Sequence, residues 1–399
     1  MRNYFETKTK QDCCGCAACC QICPKNCITL DEDNEGFSYP HVGEECINCK
    51  LCYKVCPVIN QRESITPDIA YAAYNLNDGI RQKSSSGGIF TLLAEKMIDE
   101  NGVVYGASFD KNWEVIHDFV EAKENLENFR GSKYVQSKIA NSYKQIKSFL
   151  DSNRKVLFSG TPCQVSALNF FLKKDYQNLI TVDFICHGVP SPKVWRKYKK
   201  ELLANYSGNT LESPHFEKIS FRGKNVGWRR FSFTADINIG NQRKIHQETF
   251  DENIYTRGFL ADIYLRPSCY DCLSKSLKSG SDITIADFWG VEKVLPDWTD
   301  DKGASLVFLN SNKAKTYCSN LRMYSKEVIC QEVIKYNPAF GISSKVHRNR
   351  SSFFNELDHC QCVSELIKRN IRPTFSEKLK YYIFRGVNCL RRVLHKYFN

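Results

Sequence analysis

The sequence predicts an α+β / α/β chain in two parts, a small cysteine-dense unit followed by a larger mixed α/β unit. Three observations predict it. Eleven of the 20 cysteines fall between Cys13 and Cys56. From Asp68 onward, stretches with helical spacing alternate with short apolar runs, the pattern of a layered α/β unit. After Pro214 the segments shorten and alternate, as in Phe231-Ser232-Phe233-Thr234, which adds antiparallel strands to that core. The 399 residues allow two or three domains. We place them at 1–62, 68–300 and 301–399. The last is a mostly helical extension ending in a basic amphipathic helix.

The elements follow in order. Ile28-Thr29-Leu30 and Phe37-Ser38-Tyr39 read as two short strands, with Asp31 to Gly36 as the turn. Gln61 to Pro67 reads as a linker. Gly88 to Asn101 carries Ile89, Leu92, Leu93 and Met97 at helical spacing, with Ser86 as its cap. Val103-Val104-Tyr105 is a strand and Ser137 to Leu150 a helix. Val156-Leu157-Phe158 is a short buried strand, followed by a turn and a helix over Gln164 to Leu172. Ile180 to Ile185 is a strand, expected beside Val156–Phe158, and Pro192 to Leu203 a helix.

Composition narrows the function classes. Lys and Arg number 56 against 44 Asp and Glu, a net charge of +12, with 42% hydrophobic and 25% charged residues. This is globular composition and not disorder. No apolar run approaches the roughly 20 residues of a spanning helix, and Met1 to Gln11 has no secretory apolar region. The expected location is therefore cytoplasmic. Basic residues are spread out, with no helix-turn-helix or zinc-finger pattern, so no nucleic-acid partner is expected. The tail Phe375–Asn399 holds six Lys and Arg, from Lys378 to Lys396, against Glu377 alone. Such a helix suits peripheral contact with an anionic membrane, or docking on its own domain or a partner.

Two cysteine runs carry the strongest signal. They are Cys13-x2-Cys16-x2-Cys19-x3-Cys23-Pro24 and Cys46-x2-Cys49-x2-Cys52-x3-Cys56-Pro57. Both match the bacterial two-cluster ferredoxin pattern, in which the fourth cysteine binds the other cluster. Three thiolates at this spacing wrap one side of a cube, and the next cysteine reaches the neighbouring one. Cys13, Cys16, Cys19 and Cys56 are assigned to one 4Fe–4S cluster, and Cys46, Cys49, Cys52 and Cys23 to the other. This makes residues 1–62 a ferredoxin-like two-cluster domain. Paired zinc sites also use C-x2-C, but rarely a third cysteine at that spacing or a repeated Cys-Pro ending. Cys14, Cys20 and Cys27 lie off the pattern and read as small core residues.

Four further segments place Gly, Ser or Thr at a strand end or helix start, where free N–H groups favour an anion. They are Ser84 to Gly88, Arg130 to Ser137, Phe158 to Gln164 and Asp183 to Gly188. Lys133 suits neutralising a phosphate or a flavin ring anion, although a solvated lysine is the simpler reading of the residue alone. Cys163, Cys186, Cys269 and Cys272 read either as ligands of a third cluster or as two buried cysteines and an exposed pair. His187 reads as a proton donor or flavin contact, or as a hydrogen-bonded core histidine. Arg222, Lys224, Arg229 and Arg230 surround Trp228, for an acidic substrate or partner or as plain basic surface.

These stretches resemble the coenzyme F-420 hydrogenase/dehydrogenase beta-subunit family. The motifs are the ferredoxin pair, SSSGGIF, GSKYVQS, GTPCQVSAL, DFICHGVPS, SFRGK and Cys269-Tyr270-Asp271-Cys272 followed by Asp282 to Gly290. They run in order from Cys13 to about Val291. The resemblance implies a mixed α/β flavin-binding domain with FAD as cofactor. The expected FAD contacts are Ser85, Ser86, Gly87 and Gly88, then Gly131, Ser132, Lys133, Tyr134, Gln136 and Ser137, then Gly160, Thr161, Pro162 and Gln164. Cys163, Cys186, Cys269 and Cys272 would hold the additional 4Fe–4S cluster, and His187 and Lys133 are the catalytic candidates.

Two functions follow. One is a flavin and iron–sulfur reductase of a small-molecule or glycan-linked substrate, as in cell-surface polysaccharide pathways. The other is an electron-transfer subunit that relays electrons to a partner. A ferredoxin or reductase is the expected redox partner.

Overall fold

The computed structural model describes residues 9–374 apart from 66, 68, 208–211 and 299. At the N-terminus, β1 (Ile28–Glu32) and β2 (Ser38–Val42) form an antiparallel hairpin in the register Ile28↔Val42. Asp33 shapes its turn by accepting from the N–H groups of Glu35 and Phe37, each at 3.0 Å.

The two cysteine runs repeat in the backbone as well. Gly15 and Asn48 have φ of 71° and 53°, and Ala17 and Lys50 have 62° and 59°. Left-handed residues thus stand at matching positions of both loops. A short helix, Ala18–Ile22 or Leu51–Lys54, follows each loop. Switching between right- and left-handed conformation turns successive N–H groups inward, the geometry of an anion-binding nest.

The remaining strands are β3 (Ile69–Asn75), β4 (Val103–Phe109), β5 (Val115–Val120), β6 (Val156–Ser159), β7 (Leu179–Phe184), β8 (His215–Gly223), β9 (Ser232–Ile239), β10 (Gln242–Thr249), β11 (Ile283–Asp287), β12 (Ser305–Leu309) and β13 (Met323–Ile329). Among the described residues eight strands form the main sheet, in the order β13-β3-β12-β11-β7-β6-β4-β5. The centre, β4-β6-β7-β11, is parallel, and the flanking pairs are antiparallel. Val156, Leu157 and Phe158 are fully buried, as in a parallel strand covered on both faces. Helix Ile89–Asp99 covers one face with Ile89, Leu93 and Met97. Helices Ser142–Asp151 and Pro162–Leu172 cover the other with Tyr143, Ile146, Val165 and Leu168. Each such side chain contributes about 1.5–3 kcal/mol by leaving water.

A second, antiparallel sheet, β10-β9-β8, packs Phe221 and Phe233 against Trp195 and Tyr255. Trp195 and Phe221 have ring centroids 5.1 Å apart. This sheet carries Arg222 and Lys224 to the carboxyl edge of the main sheet.

Three expectations need correction. The helix expected over Ser137–Leu150 begins at Ser142. Lys138 instead pairs with the start of β5, through His117 N–H to Lys138 O and Lys138 N–H to Val115 O, which holds the chain extended. Ser86 does not cap the helix after it. Its hydroxyl donates to Ala304 O at 2.7 Å, and the cap is Gly88 at φ 83°. The regular elements described after 300 are mostly helical, but they are not a separate extension, because β12 and β13 belong to the main sheet beside β3. The expected tail helix at 375–399 lies outside the described residues. No helix among the described residues is long and apolar enough to cross a membrane.

Candidate functional site

The cysteines gather around three cavities. Cys13, Cys16, Cys19 and Cys56 line the first, of about 310 Å³. Cys23, Cys46, Cys49 and Cys52 line the second, of about 30 Å³. Each set combines three cysteines of one run with the last cysteine of the other. Cys163, Cys186, Cys269 and Cys272 line the third, of about 50 Å³, at the carboxyl ends of β6 and β7. No three His, Cys, Asp or Glu side chains among the described residues gather as a single-ion site does.

Local structure explains the third set. Cys163 sits in the first turn of helix Pro162–Leu172, which the Thr161–Gln164 capping box fixes in place. Cys186 follows β7. Cys269 lies in the short turn Pro267–Asp271, and its Sγ accepts from Val189 N–H at 3.4 Å. Burial pushes the Cys269 thiol up to about 12 and raises Cys186 and Cys272. Interaction with Cys14, then burial, raises Cys163. Ligation by a metal displaces such protons.

Of the off-pattern cysteines, Cys14 lines both the first and the third cavity, as does Val58. Its thiol interacts with those of Cys16 and Cys163. Cys27 lines the second cavity, with its Sγ 3.4 Å from that of Cys23. Cys20 points to Thr29 O at 3.7 Å. For Cys14 and Cys27 the core-residue reading is therefore incomplete. For Cys14, standing next to Cys13 within the motif was the available signal.

The predicted flavin-contact residues divide. Ser85, Ser86, Gly131, Ser132, Lys133 and Tyr134 stand half-buried at the carboxyl edge. Ser132 N–H donates to Ser85 Oγ at 2.7 Å, which ties the two loops. Gly131, at φ 81°, faces open space, since a Cβ there meets nothing within 4 Å. Lys133 Nζ donates only to the carbonyls of Arg130 and Gly131, both at 3.2 Å. Burial without a carboxylate beside it pulls Lys133 down to about 7. Nearby, His117 donates from Nε2 to Ser159 O at 3.0 Å, its buried Nδ1 has no partner, and burial pulls it down to about 4. Cation, open glycine and polar edge suit an anionic, partly planar group.

The others are used internally. A Cβ on Gly87 would stand 2.5 Å from Ala73 O. Gly88 caps its helix, and Gly160 N–H joins Val182 O. Gln164 Nε2 donates to Ser137 Oγ at 2.9 Å, and Gln164 Oε1 accepts from Thr161 N–H at 2.9 Å. Pro162 opens its helix. Gln136 faces the cysteines, donating to Cys14 O at 3.1 Å.

His187 is bound to Asp262 at 2.6 Å through Nε2, lies edge-on to Phe259 and lines the third cavity. The basic cluster separates. Arg222 is buried, bidentate to Asp287 at 2.8 and 3.1 Å, and donates to Ser85 O. Lys224 is buried among the carbonyls of Arg81, Ser86 and Lys302. Arg229 and Arg230 are exposed and paired with acids. Asp287 joins this architecture from within the Asp282 to Gly290 motif, and Arg266 joins it without a sequence signal.

Two family models match the chain. Coenzyme F420 hydrogenase/dehydrogenase, beta subunit N-term, matches residues 70–144, and the C terminus of the same subunit matches 153–332. Together they cover well over half of the chain and run through β12 and β13, beyond the Val291 limit expected from motifs. The cysteine-dense unit lies before both. Among solved structures, the F420-reducing NiFe hydrogenase complex of Methanosarcina barkeri, in a xenon derivative, is similar at 17% identity and a TM-score of 0.43. The match covers 77% of this chain and 90% of that one. No curated protein matches.

Proposed function

We propose that this chain, which belongs to the coenzyme F420 hydrogenase/dehydrogenase beta-subunit family, relays electrons through iron–sulfur clusters and a bound flavin to a partner subunit. The observation that carries this reading is the cavity arrangement. Three four-cysteine sets line three cavities, and Cys14 forms part of the wall of both the first and the third. A route from the cysteine-dense unit to the sheet edge is thereby contiguous.

On this reading residues 9–62 form a ferredoxin-like domain with two 4Fe–4S clusters. The third cavity holds a third, and FAD lies at the edge formed by Ser85, Gly131, Ser132, Lys133 and Tyr134. When bound, a flavin exchanges two electrons with a substrate or coenzyme while clusters carry them singly. The protein's part is positional. Lys133 supplies a cation to the edge, and the bond from Ser132 to Ser85 holds the two loops together. Arg222 and Asp287 fix the second sheet over them. His187, oriented by Asp262, is placed to hold or pass a proton at Nδ1.

The family description, a beta subunit, favours a relay over a reductase with its own substrate. No observation supports a glycan-linked substrate or polysaccharide biosynthesis. Peripheral membrane contact rests on the 375–399 tail alone.

The test is purification of the full chain without oxygen. Three cubes require about twelve irons with equal acid-labile sulfide, and denatured protein should release FAD. A reduced chain that passes electrons to an added redox partner, but turns over no small substrate alone, supports the relay. Stoichiometric zinc without sulfide ends the reading.

A further inference from the structure

We infer that Arg266 is a positioning residue for the first cysteine cavity. Its buried guanidinium, fixed against Cys13, raises the reduction potential of the group held there and makes that group the acceptor for electrons leaving the second cavity.

Arg266 is 1% exposed. Its Nε donates to Cys13 O at 2.7 Å, one terminal nitrogen to Cys13 Sγ at 3.6 Å and Ser38 O at 3.0 Å, and the other to Gln136 Oε1 at 3.0 Å. The Tyr39 ring lies 4.4 Å from the guanidinium carbon. Gly15, at φ 71°, leaves room for it, since a Cβ there would stand 2.7 Å from the guanidinium.

Among the described residues no carboxylate pairs with Arg266. Its burial opposes its charge. An arginine stays charged in a protein, and a buried charge without a counter-ion costs several kcal/mol. The surroundings therefore call for an anion on the Cys13 side. A cube ligated by four thiolates is one. The further electron it accepts adds negative charge, which a fixed cation and a hydrogen bond to sulfur both stabilise. The second cavity is different. Its basic residues, Lys25 and Lys50, are exposed, so water and salt screen them.

Arg266 also spans the boundary that electrons must cross. It immediately precedes the turn that carries Cys269. Through Gln136, which donates to Cys14 O, it braces the Cys14 segment between the first and third cavities.

The inference rests on the proposed reading that the first cavity holds a 4Fe–4S cluster, and the experiment separates the two. Full-length protein, purified without oxygen, is titrated potentiometrically by electron paramagnetic resonance. The first-cavity signal is identified as the one lost in Cys19→Ser. Absence of any such signal in the unaltered chain overturns the cluster reading itself. With the signal present, Arg266→Gln should lower its midpoint by at least about tenfold in the reduction equilibrium, about 59 mV for one electron, with the second-cavity signal unmoved. Arg266→Lys, which keeps the charge, should retain most of the potential. Gln136→Glu, which sets a carboxylate against the guanidinium, should lower it without opening a cavity, and it carries the test if Arg266→Gln does not fold. An unmoved first-cavity midpoint in the folded variants, an equal shift of all clusters, or Arg266→Lys falling as far as Arg266→Gln overturns the role.

Discussion

The cysteine-dense unit and the carboxyl edge of the main sheet are both built from cysteines and small residues, yet they are put together in opposite ways. In the first unit, the eight cysteines of the two runs lie within 44 residues, and local conformation does most of the assembly. Left-handed residues at Gly15, Ala17, Asn48 and Lys50 curl each loop. At the edge, Ser85, Ser132, Cys163, Cys186, Arg222, Cys269 and Asp287 come from segments up to about two hundred residues apart, and the sheet order brings them together. Local sites depend on spacing. Distant sites depend on the whole core.

The largest expected effect tests crossed ligation in the local unit. Cys56→Ser should cost the first-cavity cluster, and Cys23→Ser the second-cavity cluster, although each residue belongs to the other run. Each loss is about four irons, one cube, measured as iron and acid-labile sulfide with the resonance signal that remains. If Cys56→Ser removes the same signal as Cys49→Ser, the crossing is wrong. At the distant site, Cys186→Ala should remove about four irons and leave both N-terminal signals. Unchanged iron would make the third set packing residues.

That contrast also explains what was legible. The grouping of the cysteines around two cavities could be read because a fixed spacing encodes a fixed wrap. The central strands could be read because Val156-Leu157-Phe158 is apolar throughout, as burial on both faces requires. β12 carries a comparable apolar run, Leu306 to Leu309, whereas β13, exposed along most of its length, leaves no such mark. The Ser137 helix was misplaced because pairing of Lys138 with β5, a tertiary contact, overrode helical spacing. Arg266 carried no motif of its own, since its contacts with Cys13 and Gln136 arise only in the folded chain, and Cys14 was marked only by standing next to Cys13.

Glycine substitutions sharpen the comparison at intermediate size. Gly87 is packed, and a Cβ there would stand 2.5 Å from Ala73 O and 2.8 Å from Ser305 N. Gly87→Ala should destabilise by about 1–3 kcal/mol, the cost of overpacking, seen as a lower denaturant midpoint. Gly131 has open space, so Gly131→Ala should cost only the left-handed penalty of about 1–2 kcal/mol. Its larger effect should be weaker FAD binding by the deflavinated protein, because its Cβ enters the cofactor's side of the edge. Unchanged FAD affinity would place the flavin elsewhere.

The smallest effect concerns Lys133. Its folded pKa, lowered to about 7 by burial, lies below the unfolded value of about 10.4. Without an anion, Lys133 therefore destabilises the fold fully below pH 7, and the cost fades as pH rises toward about 10. An anion beside it reverses the balance by favouring the charged form. FAD affinity should then be flat below pH 7 and fall above it by up to about tenfold per unit. The fall ends where the bound-state pKa is passed. His117, held neutral by burial that pulls it down to about 4, does not titrate between pH 6 and 9, but Lys224, also pulled down to about 7 by burial, does, so the part of the slope due to Lys133 is its difference from a variant lacking that amine. Titrating FAD into deflavinated protein across that range, with Lys133→Met as comparison, checks both sign and source. The variant should bind more weakly at pH 6 and show a shallower slope, and an identical slope in both proteins would remove Lys133 from the flavin edge.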